Sequence, residues 1–209
     1  MDDTAIINNI TDRQQVMSMN KEKRFDNLTC ATLAKVLGAF FYYPPNSQTV
    51  EPLLEALLHI DQLADWQNPE LISQQCQILA TQISHADLDY QFSLLFEGQG
   101  KMPAPPWGSV YLDQEKLLMG ESQERYRQFL QQHGLTLNTG MNEPEDQFGL
   151  MLMAYAILLE KQKTQAANQL IDEHLMTWSS AYLDQLKHNQ VSQFYRALAV
   201  MAEQYLLLL

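Results

Sequence analysis

Positive charge is scarce in this 209-residue chain: 13 Lys and Arg stand against 25 Asp and Glu, a formal net charge of −12 with the five His neutral. Affinity for phosphate backbones comes mostly from clustered Lys and Arg that displace counterions, so nucleic acid is not expected as a partner. An acidic surface is first of all a soluble one, and where it carries specificity it suits a cationic partner. Cysteine is scarcer still. Cys30 and Cys76 each sit inside an apolar, helix-like stretch and are expected to be buried thiols rather than a disulfide or a metal pair. Long hydrophobic runs are missing too. The run from Phe148 to Leu159 falls short of the roughly 20 residues a spanning helix needs, so no direct membrane insertion is expected. The first 20 residues have neither the basic start nor the apolar core of a secretory signal, and the chain is expected to stay in the cytoplasm.

Chemical motifs are equally thin. The histidines at 59, 85, 133, 174 and 188 are scattered, none pairs with another one helical turn away, and neither HExxH nor CxxC occurs, so no metal site is expected. Gly98-Gln99-Gly100 lacks the third glycine of a dinucleotide loop and no GxxxxGK[ST] exists, so no cofactor is expected. Ser109 in WGSVY lacks the flanking glycines of a nucleophile elbow. Glu143, Glu145 and Asp146 resemble an acid/base set, but Glu143-Pro144-Glu145-Asp146 reads better as the start of a helix, with carboxylates at the positive end of the macrodipole and proline in the first turn. No catalytic residue is assigned.

What is present is helical periodicity. Residues 1–20 are polar and aperiodic, which predicts a mobile leader before a helical domain over 21–209. Phe25, Leu28, Leu33, Val36, Leu37, Phe40 and Phe41 recur at spacings of three and four until Pro44-Pro45 ends the helix. A second helix is expected from Asn46 or Ser47 through Val50, Leu53, Leu54, Leu57 and Leu58. A third is opened by Asn68-Pro69-Glu70 and runs to about Ile83, and a fourth spans Asp87 to Phe96. Residues 98–112, with three glycines and three prolines, form the longest irregular stretch in the body of the chain and are not expected to be helical. Helical signals resume over 122–132. The stretch FGLMLMAYAILL, apolar on nearly every face, predicts a central helix, and two more follow over 164–187 and 191–208. No strict alternation long enough for a sheet occurs. The expectation is an all-α fold, either one globular domain or two helical subdomains joined near 131–142, where a hinge leaves both a monomer and a domain-swapped dimer open.

Three segments in order, YQFSLLFEGQG, PPWGSVYLDQEKLLMGES and NEPEDQFGLMLMAYAILL, closely resemble the TorD/DmsD family of redox-enzyme maturation chaperones, over roughly Phe25 to Tyr205. The resemblance implies an all-α, cytoplasmic protein without enzymatic activity. Its implied partner is the twin-arginine signal peptide on the catalytic subunit of a molybdopterin oxidoreductase of the dimethyl sulfoxide reductase type, held back from export until its cofactor is loaded. The Tat translocase is a further candidate partner. The implied binding residues are Leu95, Phe96, Pro106, Trp107, Tyr111 and Gly120, with Tyr42 near the end of the first helix and Glu143, Pro144, Asp146 and Gln147 on the acidic segment. Gln147 stands where the family commonly has histidine, so it cannot titrate near neutrality. Tyr111, where some relatives have tryptophan, keeps a flat amphipathic ring. Read together, these residues predict an apolar groove at Leu95, Phe96, Trp107 and Tyr111 edged by acids. The alternatives are a broader cytosolic chaperone for the mature part of a molybdoenzyme or another metalloprotein, and a small helical enzyme using Glu143 and Asp146.

Overall fold

In the computed structural model, residues 26–98, 101–113, 120–136 and 143–209 are described, and all statements below concern these. The expected leader, Phe25 and residues 137–142 of the expected connector lie outside them.

The first helix, α1 (Asn27–Tyr42), starts where the Asp26 side chain accepts the Thr29 N–H at 2.7 Å and stops before Pro44. Leu33, Val36, Leu37, Phe40 and Phe41 are buried, as the spacing predicts, but Leu28 is 70% exposed and lies off the core stripe. The expected second helix is broken. Pro52 falls inside it, and the chain instead makes a 3₁₀ turn (Glu51–Leu53), the short α2 (Leu54–Leu58) and a second 3₁₀ turn (Ile60–Gln62). Val50, Leu57 and Ile60 remain the buried anchors. The helix α3 (Pro69–Gln82) has Asn68 as its cap, accepting the Leu71 N–H at 3.2 Å, and α4 (Leu88–Phe96) is followed by Gly98 at φ 71°.

The proline-rich stretch is not wholly irregular, because α5 (Gly108–Leu112) forms one helical turn within it. Then come α6 (Glu121–Gln132), α7 (Phe148–Glu160) and a long rod of α8 (Thr164–Gln169), a π-helical turn (Leu170–Leu175) and α9 (Met176–Lys187). The last helix, α10 (Gln193–Leu206), is capped by Ser192. No strand is assigned among the described residues.

The helix without a polar side is central. Phe148, Leu152, Ala156 and Leu158 of α7 are fully buried, and α7 packs most extensively against α1. The two backbones touch: a Cβ on Gly38 would lie 2.7 Å from the Gly149 carbonyl, and one on Gly149 would lie 2.5 Å from the Gly38 carbonyl. Around this pair a single cluster of buried side chains runs from Ala31 to Leu206. Fully burying each Leu or Phe contributes about 1.5–3 kcal/mol, and this is what holds the helices together. Cys30, half-buried, and Cys76, buried, are free thiols, and burial pushes both thiol pKa values up.

Candidate functional site

The site is built where the segments leading into α5 and α7 cross. Buried backbone groups need partners, and residues 106–109 and 143–148 supply them to each other. Gly108 N–H donates to the Asp146 carbonyl at 3.1 Å, Phe148 N–H donates to the Pro106 carbonyl at 2.8 Å, and Trp107 and Gln147 form an isolated antiparallel bridge. This corrects the expected helix start at Glu143. The helix α7 begins only at Phe148, because residues 144–147 turn (Gln147 N–H to Pro144 carbonyl, 3.2 Å) to meet the other segment.

Gln147 caps α7. Its Oε1 accepts the Leu150 N–H at 3.0 Å while its Nε2 donates to the Phe41 carbonyl at 2.8 Å, so one buried amide ties the start of α7 to the end of α1. Both functions of the amide are used inside the protein, which explains how the position works without a titratable ring.

Asp146 is 3% exposed. Its Oδ2 accepts the Ser109 N–H at 2.7 Å, fixing the first turn of α5, whereas Oδ1 has no hydrogen-bond partner. The Ser109 hydroxyl sits close enough to favour the charged form but is not in hydrogen-bonding geometry with Oδ1. Burial dominates and holds the Asp146 pKa above the usual carboxylate range. Glu143 is half-buried and accepts the Trp107 indole N–H at 2.5 Å. Its pKa is also raised, by burial first and then by Asp146 and Glu97, against the opposing indole hydrogen bond. Glu145 differs: burial raises it, but hydrogen bonds from Arg127 (3.1 and 3.0 Å), its own backbone and Gln123 (2.8 Å) outweigh that and leave its pKa lowered. Of the three neighbouring acids, two are thus raised and one is lowered.

Beside Asp146 lies a cavity of about 140 Å³ lined by Gly108, Tyr126, His174 and Trp178 among others. A Cβ on Gly108 would meet the Trp178 indole nitrogen at 2.8 Å, so only glycine lets that ring lie against the turn. Tyr111 stacks on the outer side of Trp178 with ring centroids 5.5 Å apart and donates its hydroxyl to Gln185 Oε1 at 3.3 Å. The Tyr126 hydroxyl is buried without a partner. His174, on the π-helical turn, packs against the rings of Tyr126 and Phe129, and burial pushes its pKa down.

The residues named from sequence separate into two layers. Pro106, Trp107, Glu143, Pro144, Asp146 and Gln147 form the crossing, with Tyr111 one turn away on α5. Leu95 and Phe96 are inside the core, 0% and 5% exposed, Phe96 packing edge-on against Phe41 and Tyr195. Tyr42 is likewise buried, against Tyr43. The expected open groove at Leu95 and Phe96 is therefore not formed; both side chains belong to the core. Trp107 is 9% exposed. Gly120 precedes α6, where the Asp113 carboxylate accepts from the Ser122 N–H at 3.1 Å and hydroxyl at 2.8 Å. Sequence reasoning missed Tyr126, His174 and Trp178, since ring-bearing positions on amphipathic helices read as core and nothing in the sequence marks a π turn.

The nitrate reductase delta subunit family matches residues 60–185 of the chain. The chain is 39% identical over 173 residues to the Tat proofreading chaperone DmsD of Salmonella typhimurium, covering 82% of this chain and 84% of that protein. It is 36% identical over 169 residues to the probable Tat proofreading chaperone DmsD of Haemophilus influenzae (80% and 83%). It is 29% identical over 167 residues to the chaperone protein TorD of Vibrio cholerae (75% and 67%).

Proposed function

The chain belongs to the TorD/DmsD family of redox-enzyme maturation chaperones, and on that premise we propose that it binds the twin-arginine signal peptide of a molybdopterin oxidoreductase catalytic subunit and delays export until the cofactor is loaded. The reading places the protein in the cytoplasm, where such a peptide is still attached to its enzyme. No helix among the described residues is long and apolar enough to cross a membrane. The reading assigns no catalytic residue: the work is binding and release.

The observation that carries it is the Asp146 crossing. A buried carboxylate with a free oxygen, a second acid held against an indole, and a half-buried Tyr111 stand together on a chain of net charge −12. A twin-arginine peptide brings the complement, a short cationic segment followed by an apolar one. Aromatic anchors supply most of the affinity in such contacts, while the acids steer encounter and set orientation.

The test is calorimetric titration of the full chain with a synthetic twin-arginine signal peptide from a molybdoenzyme of the dimethyl sulfoxide reductase type. Saturable binding of one peptide per chain is the expected result. A folded chain that takes up no peptide overturns the reading.

A further inference from the structure

We propose that the cavity between Asp146, Tyr126, His174 and Trp178 is a receptor for one arginine guanidinium of the bound peptide, and that it selects arginine over lysine. The inference rests on the peptide-binding reading and adds which group of the ligand enters, and where.

Four observations lead there. A buried carboxylate oxygen without a donor is unfavourable, and Asp146 Oδ1 is such an oxygen on a residue lining the cavity. The second oxygen is committed to the Ser109 N–H, so the carboxylate cannot turn away to solve its own deficit. The Tyr126 hydroxyl, buried and unpartnered on the same wall, offers a second acceptor. The remaining lining includes two aromatic rings, Trp178 and His174, and a guanidinium plane stacks on such rings where an ammonium does not. A guanidinium has five donors in one plane and no acceptor, which suits the two unpartnered oxygens of Asp146 and Tyr126.

The other charges at the cavity allow this. Glu173 adds a negative charge at the lining. Arg125 also lines it, but its side chain is 63% exposed and lies 4.0 Å from Glu121 on the same helix. The π-helical turn Leu170–Leu175 carries both Glu173 and His174, which line the cavity, and π turns recur at functional sites.

The test uses the full chain and two kinds of probe. Ethylguanidinium alone is titrated by NMR, with shifts expected at the Trp178 indole N–H and the Gly108 amide, while ethylammonium at equal concentration leaves them in place. Calorimetry then compares a signal peptide carrying two arginines with one carrying two lysines. The arginine peptide is expected to bind about tenfold more tightly, and Asp146→Asn, which keeps an acceptor for Ser109, is expected to erase most of that preference. Tyr126→Phe, a smaller change checked by its melting curve, should reduce the preference about threefold. Equal affinity for the two peptides, or loss of affinity for both alike in Asp146→Asn, overturns the guanidinium pocket while leaving peptide binding intact. Ethylguanidinium binding without any peptide binding has the opposite meaning: the pocket stands and the signal-peptide reading falls. Unchanged shifts with ethylguanidinium mean that water alone satisfies Oδ1, and the inference is wrong.

Discussion

Asp146 Oδ2 accepts the backbone N–H of Ser109 at 2.7 Å across 37 positions of sequence. That one bond makes a helix start out of a loop: α5 has no capping side chain of its own at Trp107, and the carboxylate arriving from the second segment supplies it. The same residue holds its other oxygen unpaired.

Acid–base behaviour follows from this arrangement. Asp146 and Glu143 have raised pKa values, each first through burial, and the charged groups near them are Glu97, Glu145, Arg127, Arg125 and Glu173, with His174, whose pKa burial lowers, on the same cavity. A native pKa above the unfolded one means that the folded chain binds more protons between the two values. The stability tied to the protonated forms is full below the unfolded pKa, about 4, and is lost as pH rises through the native values. Glu145, with its lowered pKa, acts in the opposite sense and loses its contribution on acidification. Urea unfolding of Asp146→Asn across this range should show a shallower fall in stability with rising pH than the wild type. An unchanged slope assigns the effect to other groups.

Trp107 donates its indole N–H to Glu143, and in the proposed reading it is an aromatic anchor for the peptide. Trp107→Ala should weaken signal-peptide binding by about 2 kcal/mol, mainly through faster dissociation. Surface plasmon resonance on the folded variant checks the direction, and an unaltered dissociation rate removes Trp107 from the binding surface.

Gly38 and Gly149 let α1 and α7 touch backbone to backbone. The obstructing atom in each case is a carbonyl oxygen, which cannot swing aside as a side-chain tip can. Gly38→Ala or Gly149→Ala should therefore destabilise by about 1–3 kcal/mol, read as a drop in Tm. The double substitution should cost less than the sum, since the first pushes the helices apart for both.

Asp113 closes on Gly120, where an added Cβ would lie 2.0 Å from its Oδ2. Gly120→Ala should displace the carboxylate and release the cap on Ser122, costing about 1 kcal/mol, and Asp113→Ala should cost a similar amount. Denaturant unfolding of both single variants and the double tests whether they share one interaction. Full additivity separates the two residues.

Much of the fold was readable along the chain. The Asn68-Pro69-Glu70 signature opens α3 where the sequence says it should, and the unbroken apolar run of α7 marks the central helix, because capping and burial are local or periodic properties. Reading failed where the partner was remote. Glu143-Pro144-Glu145-Asp146 has the composition of a first helical turn, yet backbone pairing with Pro106 and Gly108 bends it away, and Gln147 takes the cap. Leu95 and Phe96 look like groove residues beside a proline-rich loop, and it is the packing of Phe41, Phe92 and Tyr195 against Phe96 that seals that ring into the core.

The sequence by itself determined the class of the protein: helices from spacing, and the family from three motifs. Only the tertiary structure decided which carboxylate is left with a free oxygen and which rings surround it. Spacing along a helix fixes a face, but an unpaired atom is defined by everything that approaches it. For Asp146 those neighbours come from α5, α6, α9 and the π-helical turn, segments that no local pattern connects.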